Sequence, residues 1–227
     1  MQDAALPLSN TPTISTSLRA KALNIFASPS EVFDEIASAQ PNPANWRVPT
    51  LLVCLMGMIL KQVVSIETQT AVVSSGLSLE HAQMLAGVRP LISMLSVCFA
   101  AIAGSLWSAF VLWLIGSWIL KVPLSYLKTL EVVGLTGMIL VLGMIVTALL
   151  ISASGDDAAR PSLTLLAGKL SAGKSRQLLD AFNFFHLWAT IVMAIGLSKL
   201  SRVSFKEAAF WVFGYWFLVR LGLLVLA

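Results

Sequence analysis

Residues 182–227 read FNFFHLWATIVMAIGLSKLSRVSFKEAAFWVFGYWFLVRLGLLVLA. Two apolar runs flank the polar elbow SRVSF at 201–205, with Lys199 and Lys206 on either side. In water such a segment would aggregate. In a bilayer each run closes as a helix, because a helix satisfies its own backbone N–H and C=O groups where no water is present. The stretch is therefore expected to be a transmembrane helical hairpin.

The composition extends that reading to the whole chain. Of 227 residues, 57% are hydrophobic and 11% charged, against roughly 25% charged in a soluble domain. Fifteen Lys and Arg against eleven Asp and Glu give a formal charge of +4. No basic run or stripe accompanies it, which argues against nucleic acid as a partner and for loops that face anionic lipid. Cys54 and Cys98 both fall inside apolar runs and are read as small packing groups, not a disulfide.

Working outward, residues 1–18 are polar, rich in Ser, Thr and Pro, and expected to be a disordered arm. They contain no apolar h-region, so the internal spans are expected to drive insertion. Residues 19–47 are expected to hold an N-terminal amphipathic, interfacial helix and the approach to the membrane. Ser28-Pro29-Ser30-Glu31 supplies an N-cap, a proline at the first helical position and an acid closing a capping box. Val32, Phe33 and Ile36 give that helix a short apolar face, for the membrane surface or the bundle. It should end before Pro41, after which Pro41, Pro43 and Pro49 set an extended segment with Trp46 and Arg47 at headgroup level.

Residues 48–227 are expected to form an all-α, polytopic integral membrane bundle of five transmembrane helices. Its spans fall at about 48–66, 91–120, 125–152, 182–200 and 205–226. A short helix begun by Ser78 is expected in the link 67–90, and an interfacial stretch in the link 153–180. Two elbows echo each other: VPLSYLK (122–128) and RVSFK (202–206) both place Ser before an aromatic and then a Lys. Ser125 and Ser204 are expected to cap the helices that follow, Ser204 with Glu207 as a capping box.

Orientation follows from the cations. With the N-terminus inside, inner segments hold Arg19, Lys21, Arg47, Lys121, Lys128, Lys199, Arg202 and Lys206, whereas the longer outer links hold Arg89, Arg160, Lys169, Lys174 and Arg176. Short cationic loops stay cytoplasmic, so an N-inside, C-outside topology in a bacterial inner membrane is expected.

Chemistry is sparse. P-loop, Gly-x-Ser-x-Gly, His-Glu-x-x-His and Cys-x-x-Cys patterns are absent. His81 and His186 are far apart and lack local metal-ligand partners. No enzymatic activity, cofactor or metal is expected. Four ionisable residues fall in or near the spans: Lys61, Glu131, His186 and Arg220. Such groups mark a functional path or a paired structural contact. By depth, Glu131 is expected to pair at the elbow level with Lys128, Lys199 or Lys206, and Arg220 at the opposite level with Asn183, His186 or Asp180. Trp46 and Trp118 suit the interface, while Trp107, Trp113, Trp211 and Trp216 are expected to pack. Ser96, Ala100, Gly104 and Ser108 recur every four residues, making a smooth strip where another helix can approach closely.

ASPSEVFDEI (27–36) followed by WRVPTLL (46–52), and the run from SLTLLAG (162–168) through LLDAFNFFHLWATIVMAIGLSKLSRVSFKEAAFWV (178–212), resemble the YIP (Ypt/Rab-interacting-protein) domain family. The resemblance spans about 22–227 and implies a five-span bundle with a cytoplasmic N-terminus. Eukaryotic members are associated with vesicle traffic and Rab-type GTPases. This chain lacks their Asp-Leu-Tyr-Gly-Pro motif and is more similar to bacterial members, so the GTPase partnership is not carried over. The expected function is a scaffold or accessory subunit that binds lipid and other membrane proteins or itself. The alternative is a transporter or permease component.

Overall fold

The computed structural model describes residues 17–72, 79–156, 159–164, 179 and 182–226. Among these it is all-α. The helices are α1 (Leu18–Ala27), α2 (Pro29–Ser38), α3 (Ala44–Val72), α4 (Leu79–Leu114), α5 (Tyr126–Ser154), α6 (Phe184–Ser201) and α7 (Phe205–Leu226), with a π-helical turn at Ile115–Ile119 closing α4. Of the expected arm 1–18, residues 1–16 lie outside the described residues, as does most of the link 153–180, while Ser17 and Leu18 belong to α1 as its cap and first residue.

The amphipathic segment is two helices, not one. Ser17 caps α1, its hydroxyl accepting from the Ala20 N–H at 3.3 Å. α2 begins at Pro29 as expected, but the Ser28 side chain makes no capping bond. Val32, Phe33 and Ile36 are buried, and both short helices pack on α5, α2 also on α6. The apolar face therefore goes to the bundle. Helix α3 starts earlier than expected. The Asn42 Oδ1 accepts from the Ala44 N–H at 3.0 Å, so Trp46, Arg47 and Pro49 are helical, not part of an extended segment. Proline is tolerated near a helix start, where few intrahelical bonds are lost.

Helix α4 also departs from expectation. The short helix expected after Ser78 is continuous with the second span, giving 36 residues, or about 54 Å of helix against a hydrocarbon core of roughly 30 Å. Among the described residues four helices are long and apolar enough to cross a membrane, falling at Ala44–Val64, Leu91–Ile119, Tyr126–Ser154 and Phe184–Ser201. The 22-residue α7 is about 33 Å long.

The two elbows share a backbone device. Lys121 (φ 55°) and Arg202 (φ 54°) are left-handed, and the valine after each donates back to the preceding helix, Val122 to the Gly116 carbonyl at 3.0 Å and Val203 to that of Ser198 at 3.2 Å. Ser204 accepts from the Glu207 N–H at 3.2 Å, the first half of its box. Ser125 occupies the same position without a side-chain cap.

Helix α5 is the axis of the main core. Its Leu130, Val132, Leu135 and Ile139 pack with Phe185, Ala189 and Val192 of α6 and with Phe33 and Ile36 of α2. A smaller cluster joins α4, α6 and α7 through Val111, Ile115, Leu197, Ala208 and Val212.

Candidate functional site

One face of α5 gathers the polar chemistry of the elbow end. Lys128, Glu131 and Gly134 follow one another at intervals of three, so they lie on one side of the helix. The Lys128 ammonium donates to the carbonyls of Ile36 and Ala39, at the C-terminus of α2. The Glu131 carboxylate is 1% exposed. It accepts from the Asn42 N–H at 3.0 Å and from the Asn45 amide at 2.5 Å, where α3 begins. A cation thus meets the negative end of one helix dipole and an anion the positive end of the next. Gly134 completes the face. A Cβ there would collide with the Trp46 backbone and lie 3.0 Å from the Asn45 carbonyl oxygen. The glycine lets the two helix backbones touch.

This arrangement corrects the expected pairing of Glu131 with a lysine. Among the described residues its hydrogen bonds go to neutral amides; of the expected lysines, Lys128 lies one turn before it on the same face and feels its charge, while Lys199 is bound elsewhere, to Asp34 of α2 at 2.6 Å. The buried Lys21 of α1 pairs with Glu35 at 3.2 Å. Lys128 and Lys199 hold α2 to the bundle, the Lys21–Glu35 pair ties α1 to α2, and Glu131 fixes the start of α3. The missed signal was Asn42 and Asn45: two amides just before an apolar run, whose partner is an acid in another span.

The other candidates disperse. Lys61 is exposed on the flank of α3. His186 is exposed in the first turn of α6, which Asn183 caps by accepting from the Phe185 N–H at 2.9 Å. The Arg220 guanidinium lies 5.7 Å over the Trp216 ring. Asp180 lies outside the described residues. Lys61 and Glu131 are on other helices, and no shared path joins the four. Arg220 instead lines a half-open cleft of about 300 Å³ between α4, α6 and α7, with Ser108, Thr190, Tyr215 and Trp216.

The small-residue strip faces outward. Ser96, Ala100 and Gly104 are exposed and Ser108 is half-buried. Nothing lies within 4 Å of a Cβ placed at Gly104. The α3–α4 contact runs elsewhere, where the Cys54 thiol approaches the Cys98 carbonyl at 3.8 Å. Both cysteines are free. Trp107 does more than pack: it is exposed and donates to the Tyr215 hydroxyl at 2.8 Å. Among the described residues no group of three His, Cys, Asp or Glu could hold a metal.

A bundle of apolar helices, with two short N-terminal helices docked on its elbow end, agrees with the comparison by sequence. The profile of the Yip1 domain matches residues 23–227. The chain belongs to the Yip1 domain family. The match takes in α1 from its middle onward, so the docked helices are part of the Yip1 domain and not an appendage to it. No curated protein and no solved structure gives a significant match. The chain is an integral membrane protein of the Yip1 type.

Proposed function

We propose that this Yip1 domain chain is a non-catalytic membrane scaffold or accessory subunit, binding other membrane proteins or a second copy of itself through the outer face of α4. The observation that supports this is the strip of Ser96, Ala100 and Gly104, exposed among the described residues. It is flanked by Leu95 and Phe99, 69% and 74% exposed. Small residues at a four-residue interval let a second helix approach closely, and in lipid that packing drives association. The test is Gly104→Leu, assayed by cross-linking in native membranes and by pull-down in mild detergent. The variant should insert normally and lose its partners. Assembly at wild-type level would sink the reading.

The proposal includes a five-span topology with α7 as the last crossing, the N-terminus in the cytoplasm and the C-terminus outside, in a bacterial inner membrane. Its support is the charge of the elbows, Lys121 and Lys128 in one and Lys199, Arg202 and Lys206 in the other. A cysteine at Arg202 in a Cys54/Cys98-free background should react with an impermeant maleimide after the membrane is opened, and not before. A permease component using Lys61, Glu131, His186 and Arg220 gains no support, since Glu131 is closed in by α3 and Lys61 stands on the outer flank.

A further inference from the structure

We propose that the cleft between α4, α6 and α7 binds one anionic phospholipid, its headgroup at Arg220 and Trp216 and an acyl chain along the apolar wall. A guanidinium within a membrane helix is costly without an anion. Arg220 is half-buried, and among the described residues it makes no ion pair; its recorded contact is the Trp216 ring. Trp216 lines the same cleft, and among the described residues its buried indole N–H has no acceptor. A half-buried cation, held against the Trp216 ring, therefore lines a cavity with no acid beside it. The other polar side chains of the lining, Ser108, Thr190 and Tyr215, are neutral hydroxyls and carry no charge to meet it. The Thr190 hydroxyl donates to the His186 carbonyl and the Tyr215 hydroxyl accepts from Trp107, and no acid lines the cleft.

The opposite wall identifies the ligand as a lipid. Leu112, Met193, Val212 and Val219 complete the lining, and Val219 is 40% exposed, so the cleft reaches the lipid-facing flank. A soluble phosphate would use the donors and leave this wall empty. Depth agrees as well. Thr190 lies six residues from the Phe184 end of α6, and Arg220 six from the Leu226 end of α7. Both are about 9 Å below the helix ends opposite the elbow, a depth from which an arginine head reaches a phosphate at the interface.

The test is native mass spectrometry of the full-length protein in neutral detergent, titrated with phosphatidylglycerol or phosphatidylcholine of identical chains. Wild type should take up one phosphatidylglycerol with about tenfold preference, the scale of a charge-assisted hydrogen bond. Arg220→Gln should reduce that preference to within about twofold, Trp216→Phe should weaken it about threefold, and Arg202→Gln at the exposed elbow should leave it unchanged. If Arg220→Gln does not fold, Trp216→Phe and Arg220→Lys carry the test, both with weakened uptake expected. Retention of the wild-type preference by the folded variants would overturn the proposal. So would displacement of the lipid by glycerol phosphate at matched concentration, which would mark a soluble-anion site, or many adducts without a one-lipid plateau.

Discussion

Helices α4 and α5 are both apolar enough to cross a membrane, yet 56% of the most apolar stretch of α5 is buried in the protein and 22% of that of α4. The difference lies in what interrupts the apolar sequence. On α5 the interruptions are Lys128, Glu131 and Gly134, and each has a counterpart on another element: the α2 carbonyls, the Asn42 and Asn45 amides, the Trp46 backbone. On α4 they are Ser96, Ala100 and Gly104, which are exposed, and among the described residues nothing lies within 4 Å of a Cβ placed at Gly104. Hydropathy places both helices in lipid. It does not say which one lipid touches; paired interruptions do.

The largest effect should come from filling the glycine of the buried helix. Gly134→Leu drives a side chain into the backbone of α3, which cannot rotate away as a side chain would. We expect a loss of about 3 kcal/mol, read by denaturant unfolding in detergent. A loss below about 1 kcal/mol would mean that α3 and α5 slide freely, and the contrast with α4 would collapse. Next is the carboxylate. Glu131→Ala strips the buried Asn45 amide and the part-buried Asn42 N–H of their acceptor, at about 2 kcal/mol. Glu131→Gln keeps one carbonyl oxygen and should lose less than half of that. Equal losses for the two would show that negative charge at the start of α3, not the hydrogen bonds, is what matters.

These residues also show how far the sequence could be read. The apolar runs and cationic elbows were visible because bilayer thickness and backbone saturation act on any single segment. Glu131 was visible as an anomaly, but not its partners. Its depth pointed to lysines, and the structure answered with amides 89 and 86 positions away in sequence. Pairing between distant segments leaves no local periodicity. The start of α2 at Ser28–Pro29 was legible from its cap and proline, but not the separate helix α1 (Leu18–Ala27) before it, of which only Lys21 and Ile25 are buried. Arg220 was likewise conspicuous while its cleft was not, since three helices build the lining.

A smaller effect is expected at the rim. Lys199 reaches Asp34 at 2.6 Å, but the Asp34 side chain is 57% exposed, and exposed ion pairs contribute little after screening and side-chain ordering. Asp34→Asn should cost about 0.5 kcal/mol and less in high salt. A loss as large as that of Glu131→Ala would place the anchor of α2 in this pair, not in the Lys128–carbonyl contact.

The smallest expected change is at Gly104, where the comparison is most exposed to failure. Gly104→Ala adds a methyl group with nothing within 4 Å. In the isolated protein it should be neutral or stabilising by up to about 0.5 kcal/mol, because alanine is the better helix former. The same change at Gly134 meets the α3 backbone and should destabilise. Should both substitutions destabilise the monomer in detergent alike, α4 would be packed against this chain after all, and the outward face assigned to partners would be occupied from within.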